Sequence, residues 1–88
     1  MAARYPVRVP CEQHDGDDPH GRRLTAERNQ VRAALEHCLN GLVARAPPGL
    51  HAYTYAMLAR VTSYGERQVR EALFAVEGNH DGIRVWKE

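Results

Sequence analysis

The stretch Thr54–Leu73, Thr-Tyr-Ala-Met-Leu-Ala-Arg-Val-Thr-Ser-Tyr-Gly-Glu-Arg-Gln-Val-Arg-Glu-Ala-Leu, decides the fold. Its apolar residues fall into two sets at helical spacing, separated by Ser63-Tyr64-Gly65. Thr54 suits an N-cap, because its hydroxyl can accept an N–H of the first turn. Tyr55, Leu58, Ala59 and Thr62 share one face of a first helix, with Val61 beside them. Gly and Ser suit the unusual backbone angles of a turn, and Tyr64 between them is placed to pack inward. A second helix opens at Glu66, whose carboxylate favours the positive helix end. Val69, Ala72, Leu73 and Val76 form its apolar face; Arg67, Arg70, Glu71 and Phe74 fall opposite.

Two short helices about a tight turn, the second offering a polar face, are the layout of a helix-turn-helix. The sequence also resembles winged helix-turn-helix DNA-binding domains. The matching residues are Leu58-Ala59, Thr62, Tyr64, Glu66-Arg67, Val69-Arg70 and Ala72-Leu73, followed by the strand Ile83-Arg84-Val85. In that family a hydrophobic turn residue packs inward, and the recognition helix often opens Ser-Glu-Arg-Thr-Val-Arg. Here it opens Gly65-Glu66-Arg67-Gln68-Val69-Arg70. The resemblance covers about two thirds of the chain. It implies an α+β winged helix-turn-helix domain over 24–88, with three helices and a small two- to three-stranded antiparallel sheet.

A chain of 88 residues is one domain with a small core. No apolar run approaches a membrane span and no secretory hydrophobic segment follows Met1, so the expected location is cytoplasmic. The net charge of +1 hides an asymmetry. Residues 21–70 hold eight Arg against Glu27, Glu36 and Glu66, while the blocks 1–20 and 71–88 each carry two excess negative charges. A basic block on the helices is the footprint expected for phosphate contacts, and plain solvation of helix surfaces is the other reading of the same charge. Eleven of the twelve basic residues are Arg, which suits bidentate contacts to phosphate and guanine. A GC-rich genome explains the same bias and carries the larger weight, since Ala, Gly and Pro are also abundant.

Residues 1–23 read as an N-terminal arm and polar loop. Tyr5, Val7 and Val9 alternate with Arg4 and Arg8, and Pro6 and Pro10 confine such a strand to a sheet edge. Residues 11–23 are rich in Gly, Asp and Pro and are the expected place for disorder. A first helix is expected over 25–44, capped by Thr25, with Glu27 in its first turn. Val31, Ala34, Leu35, Cys38, Leu39 and Leu42 form its core stripe; Arg28, Arg32, Glu36 and Asn40 face outward, with Arg32–Glu36 an i,i+4 pair. Gly41 interrupts this pattern, and Ala46-Pro47-Pro48-Gly49 stops it. Leu50-His51-Ala52-Tyr53 follows as a short strand, with Leu50 and Tyr53 covering the core. Beyond the third helix, Glu77–Gly82 reads as a C-cap and turn with Gly78 at the helix end. Ile83–Trp86 is the last strand and is expected to pair antiparallel with Leu50–Tyr53. A full wing needs one more strand after Trp86, so a truncated wing is expected, with Tyr5–Val9 the other candidate for that sheet edge.

These residues and the resemblance together imply sequence-specific binding of double-stranded DNA, in a transcriptional regulator of a microbe, plasmid or virus. Arg60, Arg67 and Arg70 would hold phosphates, and Arg67 and Gln68 would read bases. Arg28 and Arg32 would extend the basic surface; Ser63 lies in the turn, and Glu71 suits only a cytosine amine. One short helix reads few bases, so a homodimer is expected, through Phe74, Trp86 or the N-terminal arm. Phe74 is otherwise expected to pack under Trp86 or Tyr5. The alternative is a winged-helix protein–protein interaction module without DNA binding, favoured by Glu71, Phe74 and the missing strand. Cys11, His14 and His20, with His37 or Cys38, include a Cys-x2-His spacing but no second close pair, and Asp15, Asp17 and Asp18 lack the twelfth-position glutamate of a calcium loop. No metal and no cofactor are expected. No Ser-His-Asp order, phosphate loop or paired carboxylates point to an enzyme.

Overall fold

Asp18 and Pro19 start the longest element of the protein. In the computed structural model, which describes residues 2–13, 16–74 and 82–88, the Asp18 carboxylate accepts from the His20 N–H at 3.1 Å and caps α1 (Pro19–Ala44). Pro19 takes the first helical position, where a missing N–H costs nothing. The helix therefore starts at Pro19 and not at Thr25. Thr25 is buried within it and donates its hydroxyl to the Gly21 carbonyl at 2.9 Å. The Asp-Pro start signal outweighs the lack of an apolar anchor over 19–23, so this part of the supposed loop is helical. Gly41 does not end α1, which runs on to Ala44.

The remaining elements are β1 (Ala3–Arg4), β2 (Gly49–Thr54), α2 (Tyr55–Thr62), α3 (Glu66–Phe74) and β3 (Gly82–Lys87). Thr54 caps α2 as its sequence predicts, accepting from the Met57 N–H at 3.2 Å. The sheet order is β1-β3-β2. β2 and β3 pair antiparallel, with Leu50 opposite Trp86 and Ala52 opposite Arg84. β1 joins the far side of β3 in parallel, Ala3 opposite Val85 and Arg4 opposite Trp86. The fold is thus α+β, with three helices and a mixed sheet of three strands among the described residues. Gly82 is required where β3 meets β2. At φ +141° it passes so close to β2 that a Cβ would strike the Tyr53 carbonyl oxygen and come within 2.8 Å of the Thr54 Cα. The expected turn over 77–81 and the packing of Phe74 lie outside the described residues and side chains, as do His14 and Asp15.

One core joins these elements. Val31, Leu35, Leu39 and Val43 of α1 meet Tyr55 and Leu58 of α2, Val69, Ala72 and Leu73 of α3, and Tyr53, Ile83 and Val85 of the sheet. Leu50 does not belong to it. Parity along β2 turns His51 and Tyr53 inward, and Leu50 is left 52% exposed on the outer face.

The N-terminal arm is part of this core as well. The sheet edge expected for Tyr5–Val9 is instead taken by Ala3–Arg4, and the Tyr5 N–H makes one further bond to the Trp86 carbonyl at 3.0 Å. The chain then leaves the sheet and runs along α1 as a strap, with Val7 and Val9 buried. Side chains of α1 satisfy its backbone. Asn40 accepts from the Val7 N–H at 2.6 Å and donates to the Val7 carbonyl at 3.0 Å. Glu36 accepts from the Val9 N–H at 2.8 Å. Asn29 accepts from the Glu12 N–H and donates to the Glu12 carbonyl, at 2.9 and 3.0 Å.

Arg32 corrects the expectation of an outward arginine paired with Glu36. It is 2% exposed. Its guanidinium donates to the Glu12 carboxylate at 3.0 Å, to the Pro10 carbonyl at 3.4 Å and to the Ala72 carbonyl of α3 at 2.8 Å. Arg28 donates to the other Glu12 oxygen at 2.7 Å. The Arg28 hydrogen bond holds the Glu12 carboxyl below its ordinary value of 4.5, helped by the Arg32 and Arg28 charges and opposed by desolvation. A carboxyl lowered on folding stabilises the folded state above pH 4.5, and that contribution fades as pH falls through the folded value. Glu12→Gln leaves the Arg32 charge buried without its counter-ion. Urea unfolding at neutral pH should show a loss of about 2 kcal/mol, the cost of leaving a buried donor without its partner, and the acid limb of a stability–pH curve should flatten.

Candidate nucleic-acid interface

The turn between α2 and α3 sets the angle at which α3 leaves the core. Ser63 ends α2 in the left-handed region, at φ +63°. Tyr64 packs against the core, half-buried, as its sequence position predicts. Gly65 then starts α3. Its carbonyl accepts from Val69 at 3.1 Å, and its N–H donates to the Gln68 side chain at 3.0 Å. This is the back-reaching half of a capping box, so the Gln68 oxygen is spent on the turn and its amide N–H groups remain for a ligand.

Val69, Ala72 and Leu73 anchor α3 with no exposed surface. Glu66, Arg67, Gln68, Arg70 and Glu71 form the opposite, exposed face. The Arg67 side chain is 91% exposed and meets Glu71 at 3.1 Å. Arg70 meets Glu66 at 3.6 Å, and its guanidinium lies 5.5 Å from the centre of the Tyr55 ring. Exposed pairs of this kind contribute roughly 0.3–0.5 kcal/mol each. Arg60 and Ser63 stand exposed at the adjoining end of α2, Arg60 with no ion pair among the described residues.

Four of the eight expected contact residues, Arg67, Gln68, Arg70 and Glu71, therefore share the exposed face of α3, and Arg60 and Ser63 are exposed at the end of α2 that leads into the turn. Arg28 borders the α3 face. A cavity of about 70 Å³ between α1 and α3 is lined by Leu24, Glu27, Arg28, Val31, Gln68 and Glu71. Arg28 is engaged by Glu12, and Arg32 lies behind the surface, unavailable to a ligand. The expected basic block is largely balanced in three dimensions. Arg22 pairs with Asp17, Arg23 with Glu27, Arg28 and Arg32 with Glu12, Arg67 with Glu71 and Arg70 with Glu66. Within that block only Arg45 and Arg60 lack a described carboxylate. Glu66 belongs to the site although its sequence position suggests a helix-end role alone; its four-residue offset from Arg70 is the signal that reveals the pair.

Elsewhere, Cys38 is half-buried and desolvation raises its thiol pKa, so it is a poor nucleophile. It lines an open groove of about 330 Å³ with His37, Gly41, Leu42, Arg45 and Val61. No three His, Cys, Asp or Glu side chains among the described residues are grouped as metal ligands. No described helix is long and apolar enough to cross a membrane. No protein-family model, curated protein or solved structure matches the chain.

Left-handed backbone is costly for Ser and nearly free for Gly. Ser63→Gly should raise stability by about 0.5 kcal/mol in urea unfolding, after the larger unfolded-state entropy of Gly is deducted.

Proposed function

We propose that the protein binds double-stranded DNA through the outer face of α3, in the manner of a winged helix-turn-helix transcriptional regulator. The observation that carries the reading is the two-sidedness of α3: a fully buried apolar anchor and an opposite face bearing Arg67, Gln68 and Arg70 with no described element over it. The order α1, β2, α2, α3, β3 also suits such a domain, with β1 on the edge where a second wing strand would run. The two α3 arginines are held by weak exposed pairs, Arg70 also by its place over the Tyr55 ring, so a phosphate can recruit Arg67 at little cost and Arg70 at somewhat more. Arg60 adds a third cation. Two copies on adjacent half-sites would supply the specificity that one short helix lacks.

Titration of a random-sequence duplex at several salt concentrations tests this. The double variant Arg67→Ala, Arg70→Ala should lose at least about tenfold in affinity and reduce the salt slope by about two. The double variant Glu66→Gln, Glu71→Gln should bind more tightly than the parent, because both carboxylates oppose the phosphates. Unchanged binding in the arginine variant ends the reading.

The protein-interaction alternative is favoured by two observations. The charges of α3 cancel within the helix, and Met57 and Val61 stand exposed one turn apart on α2. On that reading the glutamines weaken binding to the partner as much as the alanines do.

A further inference from the structure

The outer face of the sheet carries an exposed aromatic ring among cations. Register places Arg4, Trp86 and Leu50 side by side across β1, β3 and β2. Arg84 lies two residues before Trp86 on the same face of β3, about 7 Å along the strand. Trp86 is 46% exposed and Leu50 is 52% exposed. Ala52 and Thr54, the other outward residues of β2, are also exposed. Arg84 has no ion pair among the described residues, and Arg4 has only a 3.7 Å contact with Glu88, both side chains being more than 80% exposed. Tyr5 is not part of this face, since its ring lies under the Lys87 ammonium at 5.8 Å, and Lys87 turns back to the Ala44 and Ala46 carbonyls.

An open sheet that buries one side needs polar residues on the other. Here the solvent side instead offers a flat indole, an aliphatic neighbour and two guanidinium groups. We propose that this face binds single-stranded nucleic acid: one base stacks on the Trp86 indole against Leu50, and Arg84 and Arg4 hold the phosphates on either side of it. Stacking on an exposed sheet aromatic tolerates any base, and adjoining arginines track the backbone. Charge disfavours a second copy packed face to face, which would bring four guanidinium groups into one interface with only the two Glu88 carboxylates to offset them. The site is separate from α3 and does not depend on duplex binding there.

Trp86 is the only tryptophan, so its fluorescence reports the site directly. Addition of a short oligothymidylate or oligouridylate should quench it saturably, and the affinity should fall with salt with a log–log slope of about −0.7 for each phosphate held. Arg84→Ala keeps the reporter and should weaken binding several-fold. Trp86→Leu, followed by anisotropy of a labelled oligomer, should weaken it by about tenfold or more. The double variant Arg67→Ala, Arg70→Ala should leave quenching unchanged, so the two sites stand or fall separately. The proposal is overturned if neither oligomer quenches Trp86, or if Trp86→Leu and Arg84→Ala bind like the parent. It is equally overturned if only anionic lipid vesicles, or only a rise in protein concentration, change the fluorescence; these would assign the face to a bilayer surface or to a dimer.

Discussion

The guanidinium of Arg32 ties together three parts of the chain that are remote in sequence. A permanent charge with almost no access to water is tolerable only when its N–H groups find acceptors. Here they find the Glu12 carboxylate, the Pro10 carbonyl and the Ala72 carbonyl. Ala72 lies in the last described turn of α3. One residue of α1 therefore grips α3, fixes the course of the N-terminal strap and sets the distance between the two. Lysine has neither the planar fork nor the number of donors to repeat this.

What lies around the turn was legible in the sequence because it is local. Thr54 caps α2, Tyr64 packs inward, and the periods of α2 and α3 assign their faces without knowledge of the rest. The pairing of β2 with β3 followed from alternation. The strap was not legible. Asn29, Arg32, Glu36 and Asn40 recur at helical spacing beside an apolar stripe, and that pattern equally describes a solvated face. Only the arrival of residues 7–12 turns it into an internal surface, and nothing local to α1 announces that arrival. Leu50 shows the converse error. Its hydrophobicity suggested a core position, whereas strand parity with the buried Tyr53 places it outside. Of the candidate site, the four α3 residues fall on one exposed face as the helical period predicts, and Arg32 was lost from it for the same nonlocal reason.

Charge counted along the chain also differs from charge distributed in space. Asp17 and Glu12, from the acidic beginning, end beside arginines of α1, and Glu66 and Glu71 accompany the arginines of α3. The surface around α3 is therefore a mosaic and not a broad positive field. Long-range steering of a polyanion would be weak, and short-range exchange of one carboxylate partner for a phosphate would govern its affinity.

The sheet has its middle strand last. β3 is hydrogen-bonded to both neighbours, one belonging to the start of the chain and one to its midpoint. During synthesis β1 and β2 both leave the ribosome before the strand that either of them needs, and each waits as an unpaired edge. Residues 3–4 and 82–88 are far apart in sequence, so this closure carries a high loop entropy and is a slow step by nature. The helical half, with α1, α2 and α3 in near-sequential contact, is free to form earlier and to serve as the template on which the sheet is completed.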